Sequence, residues 1–594
     1  MSAETAEALR TTLSPDRNAR QRGEAYLRQA ARASEQFALQ LLHLSTQEST
    51  DDSARLAAAV AFKNAVKTRW ASPDEESPAA LGESALPPVS SHEQSTIKNH
   101  LLPLCLQSPP RIRAQLSDAL CAIASSDFPS NWTSLLPSLV SHFSTSDLTS
   151  CSSVLSMCNS IFLRYRFNLK SEELFTELAY VLDSIVEPVF SLLQSITDAV
   201  PSTSDPSSLS LMFDCVYHIV EIVFSLSSID LPEWIENRLD PLMRSFHAVL
   251  QMESPTLESN TCLDTATPLD NARASICECL RMFADKYNDE VTPYVSTFAQ
   301  DAWNLLTRSN TSESKDPLVT SAMSFLTALA KGVHYELFND ASALQQICSQ
   351  VVLPNMRFRS EDEQLLEMSP LDYMRRETEG SDSDTRRRMA SELVNRLSER
   401  FPDTLMPALT QYITSLLQQY SADPQNKWKE KDIALQLAIS LMAREVTAAR
   451  GATKVNEMMD LHEFLKSHVA PEITASTTSP LRVVRADCIR FLTVFRSQLD
   501  TRAVCGVFPA LVQLTGSADT VMHSYAAFAI ERLLALRDKQ NGQLRFPLPE
   551  LCGNQQLELL QTALHNLFAS MQTDDSTCDA SVHHARAEPR ELEY

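Results

Sequence analysis

Glycine is scarce in this 594-residue chain, at 9 residues, and aromatic side chains make up only 7%. Both shortages count against sandwiches and barrels, which need glycine at tight turns and aromatics along their strands. Essentially no β-sheet is expected. No stretch reaches the roughly 18 uninterrupted apolar residues of a membrane-spanning helix. The N-terminal MSAETAEALRTTLSPDRNAR has no apolar core behind its charges, so no secretory leader is read there. The chain therefore reads as soluble and intracellular, without membrane insertion, and the glycosylation-like triplets at Asn131 and Asn310 read as chance. Basic charge is also short: 51 Lys and Arg face 75 Asp and Glu, for a formal net charge of -24. Such a surplus repels a phosphate backbone and favours basic protein surfaces, which argues against nucleic acid as a partner.

Catalytic motifs are missing as well. GATK at 451–454 lacks the length and second glycine of a phosphate-cradling loop and reads as a plain loop. No G-x-S-x-G elbow occurs, and the paired carboxylates Glu172 and Glu173 sit at a helix start, where they complement the dipole. Histidines are isolated, with His583 and His584 paired only near the C-terminal end. The thirteen cysteines are scattered, and the closest pair, Cys277 and Cys279, lies inside a helical pattern. They read as reduced, mostly buried small hydrophobes rather than metal ligands. Trp70, Trp132, Trp234, Trp303 and Trp428 are spread singly, as core or groove anchors would be. The expectation is a binding scaffold with no catalytic site, cofactor or metal.

What the chain does contain is leucine, alanine and serine in helical rhythm. The pattern is clearest at 519–537, where Val521, Tyr525, Ala529 and Leu533 form one row and Met522, Ala526, Ile530 and Leu534 the next. Asp519 is placed to cap that helix, and Arg532 and Arg537 favour its negative end. Similar segments pair as hairpins: 171–197 with 204–228, 231–252 with 270–289, 292–309 with 316–332, 407–423 with 426–445, 460–473 with 480–499, and 501–517 with 519–537. About eleven such pairs, spaced by roughly 40 to 65 residues, predict an all-α, armadillo-type superhelical solenoid of HEAT repeats. Polar, proline-containing stretches at 72–91 and 252–270 read as connectors. Residues 361–384 interrupt a pair with clustered acidic side chains and run into Arg386, Arg387 and Arg388. Residues 557–571 read as half a repeat, with Leu557, Leu560, Leu564 and Leu567 in one row. The tail 572–594 has no apolar period. The reading there is a shortened chain or an altered reading frame.

Several strings carry a family resemblance. FKNAVKTRW at 62–70, QLSDALCAIASSDFPSNWTSLLPSL at 115–139, FLRYRF at 162–167, AWNLL at 302–306, KWKEKD at 427–432 and HSYAAFAIERL at 523–533 resemble the importin-beta (karyopherin) superfamily of nuclear transport receptors. VVLPNMRFRSEDEQLLEMSPLDYMRRETEGSDSDTRRRMASELV at 351–394 is similar to a charged insertion in the branch that re-exports importin-alpha. The resemblance covers roughly 1–570. It implies an N-terminal domain of Ran-binding repeats over 1–150, a central domain over 151–518 with the insertion near 361–388, the start of a C-terminal domain at 519–571, and a non-matching, disordered tail at 572–594. It implies too a receptor that shuttles between nucleus and cytoplasm through nuclear pore proteins, binding Ran in its GTP form together with importin-alpha. Carried over residue by residue, Ran contact falls on Lys63, Asn64 and Lys67 and on Asp118. With Phe62, Val66 and Trp70 turned inward, Lys63 and Lys67 stand one turn apart on another face. In the insertion, Asp372, Arg375, Arg376, Asp384, Arg386, Arg387 and Arg388 are the expected hinge charges, exchanging partners as the receptor opens. The family grips cargo with both ends of a longer solenoid, so a shorter chain is expected to bind cargo weakly. Losing one arm of a clamp removes about two to four powers of ten in affinity.

Overall fold

The computed structural model describes residues 2–70, 86–260, 265–378, 384–475, 482–538, 542–552, 558–559 and 561–566. Local chemistry starts the helices where the sequence predicts. Ser90, Asp147, Ser171, Asp205, Asp500 and Asp519 each accept a hydrogen bond from a free amide of the following turn. A cap of this kind contributes about 1 kcal/mol. Pro110, Pro206 and Pro402 occupy first-turn positions, where a missing N–H leaves nothing unsatisfied.

The chain divides into two compact units, 1–261 with 267–282, and 262–266 with 283–594. In the first, four helices stack in chain order: α1 (Asp52–Arg69), α2 (Pro110–Asp127), α3 (Leu148–Phe162) and α4 (Pro206–Leu226). Each packs on the helix before it in the chain, respectively Phe37–Thr46, Ser91–Gln107, Leu135–Val140 and Glu172–Ala199, so every repeat is a two-helix hairpin. Phe62, Leu116, Val154 and Phe213 fill the space between the layers, fully buried. By length and composition, Glu172–Ser202 and α4 are apolar enough to cross a membrane, which a search for uninterrupted runs passes over. In α4, Met212, Cys215, Val216, Ile219, Val220 and Ile222 are all buried, so apolar side chains on every side of this helix are used inside the protein.

The second unit repeats the scheme. Helix α5 (Asp316–Lys331) precedes two short helices, α6 (Ser360–Met368) and α7 (Pro370–Glu377). Then follow α8 (Arg386–Arg400), α9 (Trp428–Met442), α10 (Arg482–Phe495) and α11 (Thr520–Ala535). Helices α5, α8, α9, α10 and α11 form a continuous stack, and the hairpins expected at 292–332, 407–445, 460–499 and 501–537 are present as contacting pairs. In α11 the row Val521, Tyr525, Ala529 and Leu533 is buried, while Ile530 and Leu534 in the adjacent row are half-buried. Asp519 accepts from the Val521 and Met522 amides at 2.9 and 3.4 Å.

Two expectations need correction here. The helix predicted to run to 445 ends at Met442, and GATK is not a loop. Residues Ala443–Thr447 (β1) and Gly451–Val455 (β2) pair antiparallel, the one named sheet among the described residues. The cause is Gly451, whose φ of +69° favours glycine and whose missing side chain lets the hairpin close on α10. A Cβ there would lie 2.3 Å from the Val494 carbonyl oxygen. All described cysteines are free, and all but Cys121 and Cys505 are buried. Most of the connector at 72–91, residues 379–383, the tail at 572–594 and the side chains of Leu557, Leu560 and Leu567 lie outside the described residues.

Gly451→Ala combines backbone strain with a clash, so it is expected to lower stability by at least about 1–3 kcal/mol in urea unfolding followed by circular dichroism. A neutral substitution would show that the hairpin is free to shift away from α10.

Candidate partner-binding surfaces

Helix α1 is held on its inner side by Phe62, Val66 and Trp70, all buried. The Trp70 indole N–H donates to Asp127 at 3.1 Å, and Lys98 Nζ meets the same carboxylate at 2.5 Å, tying the end of α1 to the end of α2. That anchoring fixes what the opposite face presents. Lys63 Nζ lies 3.4 Å from Asp118 Oδ2, with the lysine side chain 18% exposed and the aspartate 56%. Asn64 and Lys67 are exposed beside them. The four residues singled out from sequence therefore form one patch across α1 and α2. An ion pair this close to solvent contributes about 0–1 kcal/mol, so a partner's charges can replace it at little cost.

Next to the patch, α2, α3 and α4 enclose a groove of about 400 Å³ lined by Asp118, Arg113, Cys121, Ser153, Ser156 and His218, among others. Arg113 is turned into place by the Ser108 carbonyl and the Ser153 hydroxyl, at 3.1 and 3.2 Å. Burial, offset in part by Glu221, pulls the His218 pKa down to about 4, so its ring is neutral near pH 7. The groove is therefore hydroxyl-rich and suited to hydrogen bonding with a polar loop.

The charged insertion differs from a simple acidic loop. Its described part is α6, α7 and the start of α8, and much of its charge is internal. Arg386 is buried and donates to Asp316 at 2.5 Å, to the Asn310 and Ser312 carbonyls and to Asn355. Arg359 reaches the same Asp316 with two bonds of 2.9 Å. Arg387 is buried against Asp432 at 2.8 Å, and Arg376 pairs with Asp362 at 2.6 Å. Arg386 and Arg387 are thus committed to the core. Arg388 is half-buried at the first turn of α8, its amide donating to Thr385. Only Asp372, Arg375 and Asp384 of the seven expected hinge residues are exposed; Asp372 and Arg375 pair with each other at 3.2 Å.

Beneath this lies a cluster that sequence reading missed. Asp432 is fully buried, and Asp487 on α10 is buried beside it. Burial, the Asp432 charge and a hydrogen bond to Asp432 outweigh Arg387 and Arg490, and raise the Asp487 pKa well above the ordinary carboxylate value. The two carboxyls are thus set side by side against Arg387, which donates to Asp432. The available signal was a carboxylate in the string RVVRADCIRFL with Val483, Val484 and Phe491 within one turn on its face, all three buried. Among the described residues, no group of three or more His, Cys, Asp or Glu side chains is placed to hold a metal ion.

Comparison with known proteins decides the relationship. The Cse1 family profile matches residues 161–530, and the Importin-beta N-terminal domain profile matches 23–107. The chain belongs to the Cse1 family. It is 33% identical over 567 residues to an exportin-2 of Oreochromis niloticus, covering 95% of this chain and 56% of the relative. The Homo sapiens exportin-2 is also 33% identical, over 96% of this chain and 57% of the relative. The chain thus spans a little over half the length of these relatives. A solved structure described as the exportin Cse1 in its cargo-free, cytoplasmic state is 29% identical, with a TM-score of 0.83 over 96% of this chain and 61% of that one. The chain is an all-α HEAT-repeat solenoid, the fold it shares with that exportin structure.

Arg387→Ala leaves a buried carboxylate unpaired and is expected to cost about 3–5 kcal/mol in urea unfolding, while Arg375→Ala, at the surface, changes stability by less than about 0.5 kcal/mol. Equal effects would remove the distinction drawn between core and surface charges. For Asp487 the folded pKa lies above the unfolded one, so its contribution is complete below the ordinary aspartate range and is lost as pH rises through the folded value, by at most about 1.4 kcal/mol per pH unit. Asp487→Asn keeps a donor without a titrating proton. Its unfolding free energy is expected to fall less steeply with rising pH than that of the parent chain.

Proposed function

We propose that this chain acts in nuclear export, binding Ran in its GTP form together with importin-alpha and releasing both in the cytoplasm as it shuttles past nuclear pore proteins. The observation that supports this most directly is the Cse1 match across 161–530 together with the similarity to the cargo-free exportin over 96% of the chain. In this reading residues 1–150 supply the GTPase-facing repeats, and 151–518 form a central domain carrying the insertion. Lys63, Asn64, Lys67 and Asp118 offer the GTPase a weakly held ion pair and an exposed lysine one turn away. In the insertion, the exposed Asp372, Arg375 and Asp384 are the charges available to exchange partners, with Arg376, Arg386, Arg387 and Arg388 supporting them from beneath.

The test is fluorescence anisotropy of the 594-residue chain with Ran carrying GTP or GDP, with and without importin-alpha. GTP-selective binding is the expected result, and strengthening by importin-alpha would show that cargo coupling resides in this chain. Equal binding of both nucleotide forms would leave a HEAT-repeat scaffold without Ran dependence. Reversing charge with Lys63→Glu and Lys67→Glu together is expected to weaken GTP-form binding roughly tenfold, mainly through the association rate and more strongly at low salt. Unchanged rates would place the GTPase elsewhere.

A further inference from the structure

The second unit holds a groove of about 410 Å³ between the end of α7, helices α8, α9 and α10, and strand β1. Its wall reverses the sign of the chain. Arg376, Arg388, Arg396, Arg444 and Arg490 line it against only two carboxylates, Glu377 and Glu392, in a protein of net charge -24. Two of these cations are positioned by neutral groups. Arg444 donates to the Asn395 and Ser398 carbonyls and the Ser398 hydroxyl at 3.2–3.4 Å. Arg490 donates to Gln436 at 2.7 Å, with Glu377 farther away at 3.9 Å. Burial lowers the Arg444 pKa, with Arg396 adding to the shift and Glu399 countering it. An apolar strip of Ile439, Val446 and Val494 also lines the groove, Val446 51% exposed and the other two largely buried.

We propose that this groove docks an acidic segment of a protein partner, one that alternates carboxylate and apolar side chains. Planar guanidiniums match carboxylates through paired hydrogen bonds, and the apolar strip gives the intervening side chains a place to bury. The volume is in the lower part of the roughly 300–1,000 Å³ typical of ligand sites, which fits a short extended segment. A nucleic acid has the right charge but is repelled by the rest of the chain. An isolated phosphate would reach only part of a cation set spread over three helices and a strand and would leave the strip bare. The inference rests on the groove alone, independently of the GTPase reading.

The probe is a short fluorescein-labelled peptide alternating glutamate and leucine, titrated into the full chain, with a lysine–leucine peptide, inorganic phosphate and single-stranded RNA as comparisons. Saturable binding of the acidic peptide alone, weakening with salt, is expected. Arg396→Gln should lower its affinity about tenfold, and Glu392→Gln, one turn away on α8, should raise it several-fold. Opposite effects from neighbouring positions are something partial unfolding does not produce. Failure of the parent chain to bind the acidic peptide would overturn the proposal, as would tighter binding of RNA or phosphate, or a change in the same direction for both variants. Binding that emerges only after Glu379→Gln with Asp382→Asn would overturn it too, by assigning the groove to the chain's own acidic segment.

Discussion

The second unit depends on how it accommodates buried charge. Helices α8, α9 and α10 meet through Arg387, Asp432 and Asp487, three ionisable side chains taken out of water together. Burial and the neighbouring Asp432 raise the Asp487 pKa, and Arg387 and Arg490 offset part of that cost. Around the cluster, Gln436 bridges Ser391 and Arg490, and Asn395 holds the Ser440 and Ala443 carbonyls, so polar bonds align the same helices that apolar contact alone would let slide.

The first unit solves its packing differently. Its layers are joined largely by apolar side chains such as Phe62, Leu116 and Phe213, with polar links added where Asp127 collects Trp70 and Lys98 and where Glu221 takes Arg166. That leaves the face of α1 and α2 free of structural duty, and Lys63, Asn64, Lys67 and Asp118 stand on it with little to hold them. In the insertion the opposite holds, because most of the charge is occupied in support.

How far the sequence could be read follows from this contrast. Periodicity and caps located the hairpins because both act within a few residues: Asp519 bonds to its own helix, and Val521 to Leu533 share one face by geometry. The grouping of Lys63 with Asp118 was reachable through family resemblance. The long-range pairings were not. Arg386 and Asp316 are 70 residues apart, Arg387 and Asp432 45 apart, and nothing local distinguishes a buried arginine from a solvated one. GATK was misread for a related reason, since what Gly451 answers to is the Val494 carbonyl of a helix far along the chain.

Asp316 has one more consequence. Arg359, at the entry to the insertion, and Arg386, at its exit, both bind this single carboxylate. The two ends of the intervening segment are thereby pinned to one point on α5, and changes in length between them need not move α5 relative to α8. In evolutionary terms the junction is fixed while exposed positions of the segment, such as Asp372 and Arg375, can vary without disturbing the repeats on either side.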